Sequence, residues 1–209
     1  MSVIAVVGNK GGAGKTTLSI NIASGMHRRI PTILLDSDPQ RSSLQWREIA
    51  EREDLIDVID GVDDLAGAVK QYRDRSGCVM IDCPPSVQSE QTQEALTCSD
   101  IVIIPVLPSP LDLWATVNVV EEIESARSVN PKIKALVVIN QLESRTVLSR
   151  LMSEALAEIE LPVASTVITR RVAYRNAILQ GCSVLDAGSS ARTAAQEINQ
   201  LVDEVVTYL

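Results

Sequence analysis

The stretch Gly8-Asn9-Lys10-Gly11-Gly12-Ala13-Gly14-Lys15-Thr16-Thr17 follows a short apolar run and opens a helical pattern. Glycines in such a loop let successive backbone N–H groups converge on an anion, and the helix N-terminus adds partial positive charge. A lysine after the last glycine reaches the outer phosphates of a nucleotide, and the next hydroxyl can ligate Mg²⁺. The residues this chemistry needs are Gly11, Gly12, Ala13, Gly14, Lys15, Thr16 and Thr17. One position departs from the ordinary G-x-x-x-x-G-K-[ST] pattern: Asn9 replaces the first glycine, and an extra lysine, Lys10, follows it. A second cation there is redundant for ground-state binding. It has a use if it crosses a dimer interface to the partner's nucleotide, as an arginine finger does in trans. The alternative is a solvated loop lysine.

Three further strand ends carry chemistry. Asp36-Ser37-Asp38-Pro39-Gln40 closes an apolar run. Carboxylates at i and i+2 leaving a strand suit a Mg²⁺ shell (Asp36) and the orientation of an attacking water (Asp38); the same residues also make turns. The run Cys78-Val79-Met80-Ile81-Asp82 ends in an aspartate, a Walker-B pattern that assigns Asp82 to the metal shell. Asn140 ends another run, and its amide offers the donor and acceptor that an adenine edge needs. Pro108-Ser109-Pro110-Leu111-Asp112 makes a stiff cleft edge or a plain helix entry with Asp112 near the N-cap.

The elements that must hold these residues follow from the apolar pattern. Nearly continuous β-branched runs at 3–7, 32–36, 78–82, 101–106 and 133–140 predict strands covered on both faces, with weaker strands at 55–59 and 166–168. Helical patterns cover 17–26, 43–51, 63–72, 113–126, 145–159 and 190–208. This alternation predicts an α/β fold: one domain over residues 1–209, a mostly parallel twisted sheet with helices on both faces, as in P-loop NTPases. In such sheets ligands bind beyond the carboxyl ends of the strands. The 209 residues are 45% hydrophobic and 22% charged, which excludes a disordered tail or a disulfide-stapled miniprotein. The start MSVIAVVGNK lacks signal-peptide form, no run is long enough to span a bilayer, and the acidic end lacks a membrane-surface helix's basic face. A cytoplasmic location without membrane attachment is expected. Four cysteines without a CxxC pair, and a single histidine, argue against an intrachain zinc or iron–sulfur site.

Together, residues 10–17, 36–40, 82–85 and Asn140 resemble the deviant Walker-A ATPases of the ParA/MinD family. The resemblance implies ATP and Mg²⁺ as cofactors, an ATP-sandwich homodimer, and hydrolysis that is slow until an adaptor stimulates it. It implies that Lys10 contacts the partner's phosphate and that Asp38 positions the water. The chain lacks the basic membrane helix of the MinD branch and the paired cysteines of the iron-protein branch. It is similar to the short ParA type, ParF-like or McdA-like, which partitions plasmids or spaces carboxysomes with a ParB-like or McdB-like adaptor. The alternatives are a metabolic P-loop ligase or kinase, or a nucleotide switch that does not hydrolyse.

The formal charge of −8 argues against nucleic-acid binding, and aromatics of only 2% argue against base stacking. The charge is uneven, however. Between residues 161 and 192, Arg170, Arg171, Arg175 and Arg192 face one acid, Asp186: a net +3 that leaves −11 for the rest. Such a cluster is what sequence-independent duplex DNA binding requires, and with the family resemblance it predicts an ATP-dependent grip on the nucleoid. The alternative is an arginine face neutralised by acidic neighbours.

Overall fold

The computed structural model describes residues 2–143 and 161–209. Six parallel strands form one sheet in the order β3-β2-β4-β1-β5-β6. They are β1 Ser2–Val6, β2 Thr32–Asp36, β3 Asp57–Asp60, β4 Cys78–Asp82, β5 Ile101–Val106 and β6 Lys134–Ile139. The helices are α1 Lys15–His27, α2 Ser42–Ile49, α3 Leu65–Arg73, α4 Glu90–Cys98, α5 Pro110–Ala126, α6 Val172–Leu179 and α7 Arg192–Val206. This is an α/β P-loop NTPase fold.

Every residue of β2, β4 and β5 is buried, as continuous apolar runs require when helices cover both faces. Alternate side chains sort the core into two halves. Ile4, Leu34, Met80, Ile103 and Leu136 pack with α1, Trp46 of α2, α6 and α7. Val3, Leu35, Ile81, Val102 and Val137 pack with α3, α4 and α5. The strand order reverses beside β1, so its exit loop stands at the sheet's switch point, where ligands bind.

The predicted strands all appear except 166–168. There the chain makes a single bridge, Leu142 to Thr169, after Ile168 N–H bonds Ile139 O at 2.9 Å. Two helices go beyond the sequence reading. In α4 only Thr92, Ala95 and Leu96 are buried, too few for a clear apolar stripe; the Ser89 hydroxyl caps it by accepting from Thr92 N–H. In α6 only Tyr174 and Ala177 are buried. The closing helix is shorter than predicted, because residues 189–191 form a 3₁₀ turn ahead of it. The predicted helix at 145–159 lies outside the described residues. Among the described residues no helix is long and apolar enough to cross a membrane.

Trp46 on α2 is buried, yet its indole N–H has no partner. An unpaired buried donor carries its full desolvation penalty. Trp46→Phe should therefore shift unfolding stability by less than about 1 kcal/mol, against about 3–5 kcal/mol for Trp46→Ala, as read by denaturant unfolding. A Phe variant as damaging as the Ala variant would show that the indole N–H is satisfied.

Candidate functional site

The loop after β1 turns into α1 through left-handed backbone at Gly12 (φ +81°) and Gly14 (φ +87°), which side-chain-bearing residues rarely adopt. Gly14 also has no room for a side chain: a Cβ there would lie 2.4 Å from Asn140 Nδ2. Gly14 is the N-cap of α1, with no side-chain cap and no acid in the first turn. The first N–H groups of the helix are left for an anion.

Lys15 is buried, and its Nζ donates to Lys10 O at 2.9 Å. Burial lowers its pKa, while the carboxylates of Asp82 and Asp38 oppose that shift. With Gly11, Gly12, Thr16, Thr17, Asp38, Gln40 and Gln141 it lines a cavity of about 420 Å³. The predicted phosphate groups and the predicted water-orienting carboxylate thus share one space. Asp38 Oδ1 accepts from Gln40 N–H at 2.9 Å, which fixes its rotamer at the cavity rim.

Asp36 and Asp82 stand directly opposite each other on β2 and β4, and both are 0% exposed. Burial, then repulsion from Asp36, raises the Asp82 carboxyl to about 6, while hydrogen bonds from Thr16, Ser43 and Ser19 pull the other way. Ser19 Oγ donates to Oδ1 at 3.0 Å and Ser43 Oγ to Oδ2 at 2.8 Å. Burial likewise raises Asp36, whose oxygens accept from Asp38 N–H (3.2 Å) and Leu44 N–H (3.0 Å). These aspartates, read from sequence as metal ligands, therefore also tie α1 and α2 to the sheet edge. Among the described residues no three His, Cys, Asp or Glu side chains gather as a metal cluster. Two carboxylates and the Thr16 hydroxyl are the hard oxygen donors that suit Mg²⁺ carried in with a nucleotide.

Asn140 is buried beneath the loop. Its Nδ2 donates to Ala13 O at 2.7 Å and its Oδ1 accepts from Gln141 N–H at 2.9 Å. The amide thus braces the loop as well as facing a second cavity of about 330 Å³. Gly14, Thr17 and Gln141 line both cavities, so the two form one groove. Gln141 escaped the sequence reading. It has a left-handed backbone (φ +55°), and its Nε2 holds Gly12 O at 2.9 Å. Its one sequence signal was its place directly after a strand-ending Asn.

Lys10 lies outside this groove. Its Nζ sits 3.3 Å from Asp112 Oδ1 on the first turn of α5, and its side chain is 40% exposed. Arg170, Arg171 and Arg175 line the second cavity, and Arg192 begins α7 away from it. Arg170 pairs with Glu143, and Arg171 pairs with Glu197 at 2.8 Å. Among the described residues Arg175 and Arg192, both exposed, make no ion pair.

The CobQ/CobB/MinD/ParA nucleotide-binding domain matches residues 4–184. The chain belongs to this family. It is 41% identical over 207 residues to the maintenance of carboxysome distribution protein A of Halothiobacillus neapolitanus, covering 97% of this chain and 95% of that one. Among solved structures it is similar to the Cyanothece McdA(D38A)–ATP complex, with a TM-score of 0.80, 14% identity and coverage of 99% and 96%. It also resembles cobyrinic acid a,c-diamide synthase of Mycobacterium smegmatis, with a TM-score of 0.76, 21% identity and coverage of 98% and 93%. At such identities these two show the shared fold, in which the groove occupies the family's nucleotide-binding domain.

Gly14→Ala should weaken nucleotide binding by at least about tenfold, because it combines a left-handed strain with a clash against Asn140. Calorimetric titration of ATP into the folded variant reads this directly. Unchanged affinity would mean that the loop does not bind in this conformation.

Proposed function

We propose that this chain is a Mg²⁺-dependent ATPase that distributes carboxysome-type cargo along DNA. The carrying observation is the 41% identity, over nearly the full length of both chains, to a carboxysome-distribution protein. The groove supports it, since its phosphate end unites Lys15, Thr16 and Asp38.

In this reading the α1 N-terminus and Lys15 hold the phosphates. Thr16, Asp36 and Asp82 would hold the shell of a Mg²⁺ ion, which when bound would supply positive charge beside the phosphates. Asp38 orients the attacking water from the rim of the same cavity. Asn140 and the second cavity receive the nucleoside. Lys10 leaves Asp112 to reach the partner's nucleotide in an ATP-bound homodimer. Leu111 and Trp114, 63% and 70% exposed on the same helix turn as Asp112, supply apolar surface that a second copy would cover.

Arg170, Arg171, Arg175 and Arg192 form the DNA-facing set. Arg175 and Arg192 contribute most, because Glu143 and Glu197 already neutralise the other two. Contacts to the phosphate backbone alone give sequence-independent, salt-sensitive binding, and a dimer doubles them. The acidic remainder of the chain suits a basic cargo adaptor that triggers hydrolysis and release. The place of action is then the nucleoid surface in the cytoplasm.

Asp38→Ala in Mg–ATP should accumulate as a dimer that retains duplex DNA, measured by light scattering and DNA co-sedimentation. Adding Arg175→Glu and Arg192→Glu should leave the dimer and cost at least about tenfold in DNA affinity. A monomer in Mg–ATP, or wild-type turnover by the Asp38 variant, would contradict the reading.

A further inference from the structure

The second cavity has one wall that is hydrogen-bonded to a residue that does not line it. The wall runs from Thr169 to Tyr174 and faces Gly14, Leu18 and Asn140. Behind it stands Glu197 of α7, whose side chain is 12% exposed. One carboxylate collects donors from three wall residues. Oε1 accepts from Thr169 Oγ1 at 2.8 Å and from Arg171 Nε and Nη2 at 3.1 and 2.8 Å. Oε2 accepts from Tyr174 O–H at 3.1 Å and from Thr169 N–H at 3.4 Å.

The backbone of this segment is bonded to the end of β6, but among the described residues the side chains of Thr169 and Arg171 have no hydrogen-bond partner other than Glu197. The predicted strand at 166–168 is missing; the bridge of Leu142 to Thr169 and backbone bonds from Ile168 and Arg170 to Ile139 and Leu142 join this segment to the end of β6. The helix α6 that follows is eight residues long and has no side-chain cap. Charge-assisted hydrogen bonds are stronger than neutral ones, and the guanidinium of Arg171, 34% exposed, engages one oxygen of the less exposed Glu197 with two N–H groups. The cavity behind this wall mixes apolar surface (Leu18, Ile168, Ile178) with polar rim groups (Asn140, Thr169). Such a lining suits a flat heterocycle with a hydroxylated sugar. The cavity joins the phosphate cavity through Gly14, Thr17 and Gln141.

We propose that Glu197 is a positioning residue for the nucleoside half of the nucleotide: by pinning Thr169, Arg171 and Tyr174 it sets the width of the nucleoside cavity. It acts through the wall and touches no ligand itself. The inference rests on the nucleotide-binding reading and adds that Glu197 of the closing helix, 182 positions after Lys15, tunes affinity for the nucleoside alone. It also gives Arg171 a place in the nucleotide site, besides any contact with DNA.

The test compares ATP with inorganic tripolyphosphate, which carries the phosphates without the nucleoside. Both are titrated calorimetrically, with Mg²⁺, into the full-length wild type, Glu197→Gln and Asp203→Asn. Gln keeps the size of Glu but loses the charge that holds Arg171. Asp203 lies on the same helix, exposed, and pairs with Arg29 instead. Glu197→Gln should lose about tenfold in ATP affinity and change tripolyphosphate affinity by less than about twofold. Asp203→Asn should change neither. Should Glu197→Gln fail to fold, Thr169→Val, which removes one donor from the wall, should show the same selective loss at smaller size. Equal loss for both ligands, wild-type ATP affinity, or an equal effect of Asp203→Asn would overturn the proposal. A wild type that binds tripolyphosphate but gains nothing from the nucleoside overturns it too. A wild type that binds neither ligand overturns the nucleotide reading itself.

Discussion

Two aspartates placed side by side in a dry sheet edge are the constraint from which the rest of this site follows. Parallel register puts Asp36 opposite Asp82, on neighbouring strands, with neither exposed. Neighbouring strands lie only about 4.8 Å apart, so two ionised carboxylates there repel strongly in a low dielectric. The chain answers with donors. Ser19 and Ser43 serve Asp82, and backbone N–H groups of residues 38 and 44 serve Asp36. These bonds fasten the starts of α1 and α2 to the sheet. They leave the charge uncompensated, apart from the nearby buried Lys15. Burial first, and then repulsion from Asp36, raise the carboxyl of Asp82 to about 6. Because its folded value lies above its ordinary one, the ionised group costs stability at neutral pH, and that cost is relieved progressively as pH falls from about 6 to the ordinary value of 3.8.

The same economy governs the groove. Its phosphate end is built from backbone, with glycines standing where side chains cannot. Its far end is built from side chains anchored at a distance. Asn140 and Gln141 hold the loop from beneath through Ala13 O and Gly12 O. Glu197 holds the opposite wall. Both supports come from segments that follow β5, so the early motif is finished by the last third of the chain. Lys10 shows the complement: its partner, Asp112, holds it against its own chain and outside the groove.

The phosphate loop was legible in the sequence because its residues are contiguous and each has a local reason to be there. Asp36 and Asp82 were legible because each ends an apolar run, and Asp38 because it follows Asp36 at i+2; parallel strands deliver their ends to one edge. What sequence could not give were partnerships across the fold. Asp112 lies 102 positions from Lys10, and Asp112 alone reads as a helix cap. The arginine cluster was read within a window closing at Arg192, which left out Glu143 and Glu197, the two acids that neutralise Arg170 and Arg171. The helices α4 and α6 were illegible for another reason: each buries so few side chains that its periodicity fades.

The central claim is that this sheet edge gives up stability to be ready for a cation and a nucleotide. Asp82→Asn tests it most directly, by thermal unfolding of the ligand-free protein paired with Mg–ATP titration. Removing the charge should raise the ligand-free melting temperature by about 2–4 °C while weakening Mg–ATP binding at least about tenfold. A lower melting temperature with unchanged Mg–ATP affinity would show that Asp82 is a structural anchor only, and would contradict the account.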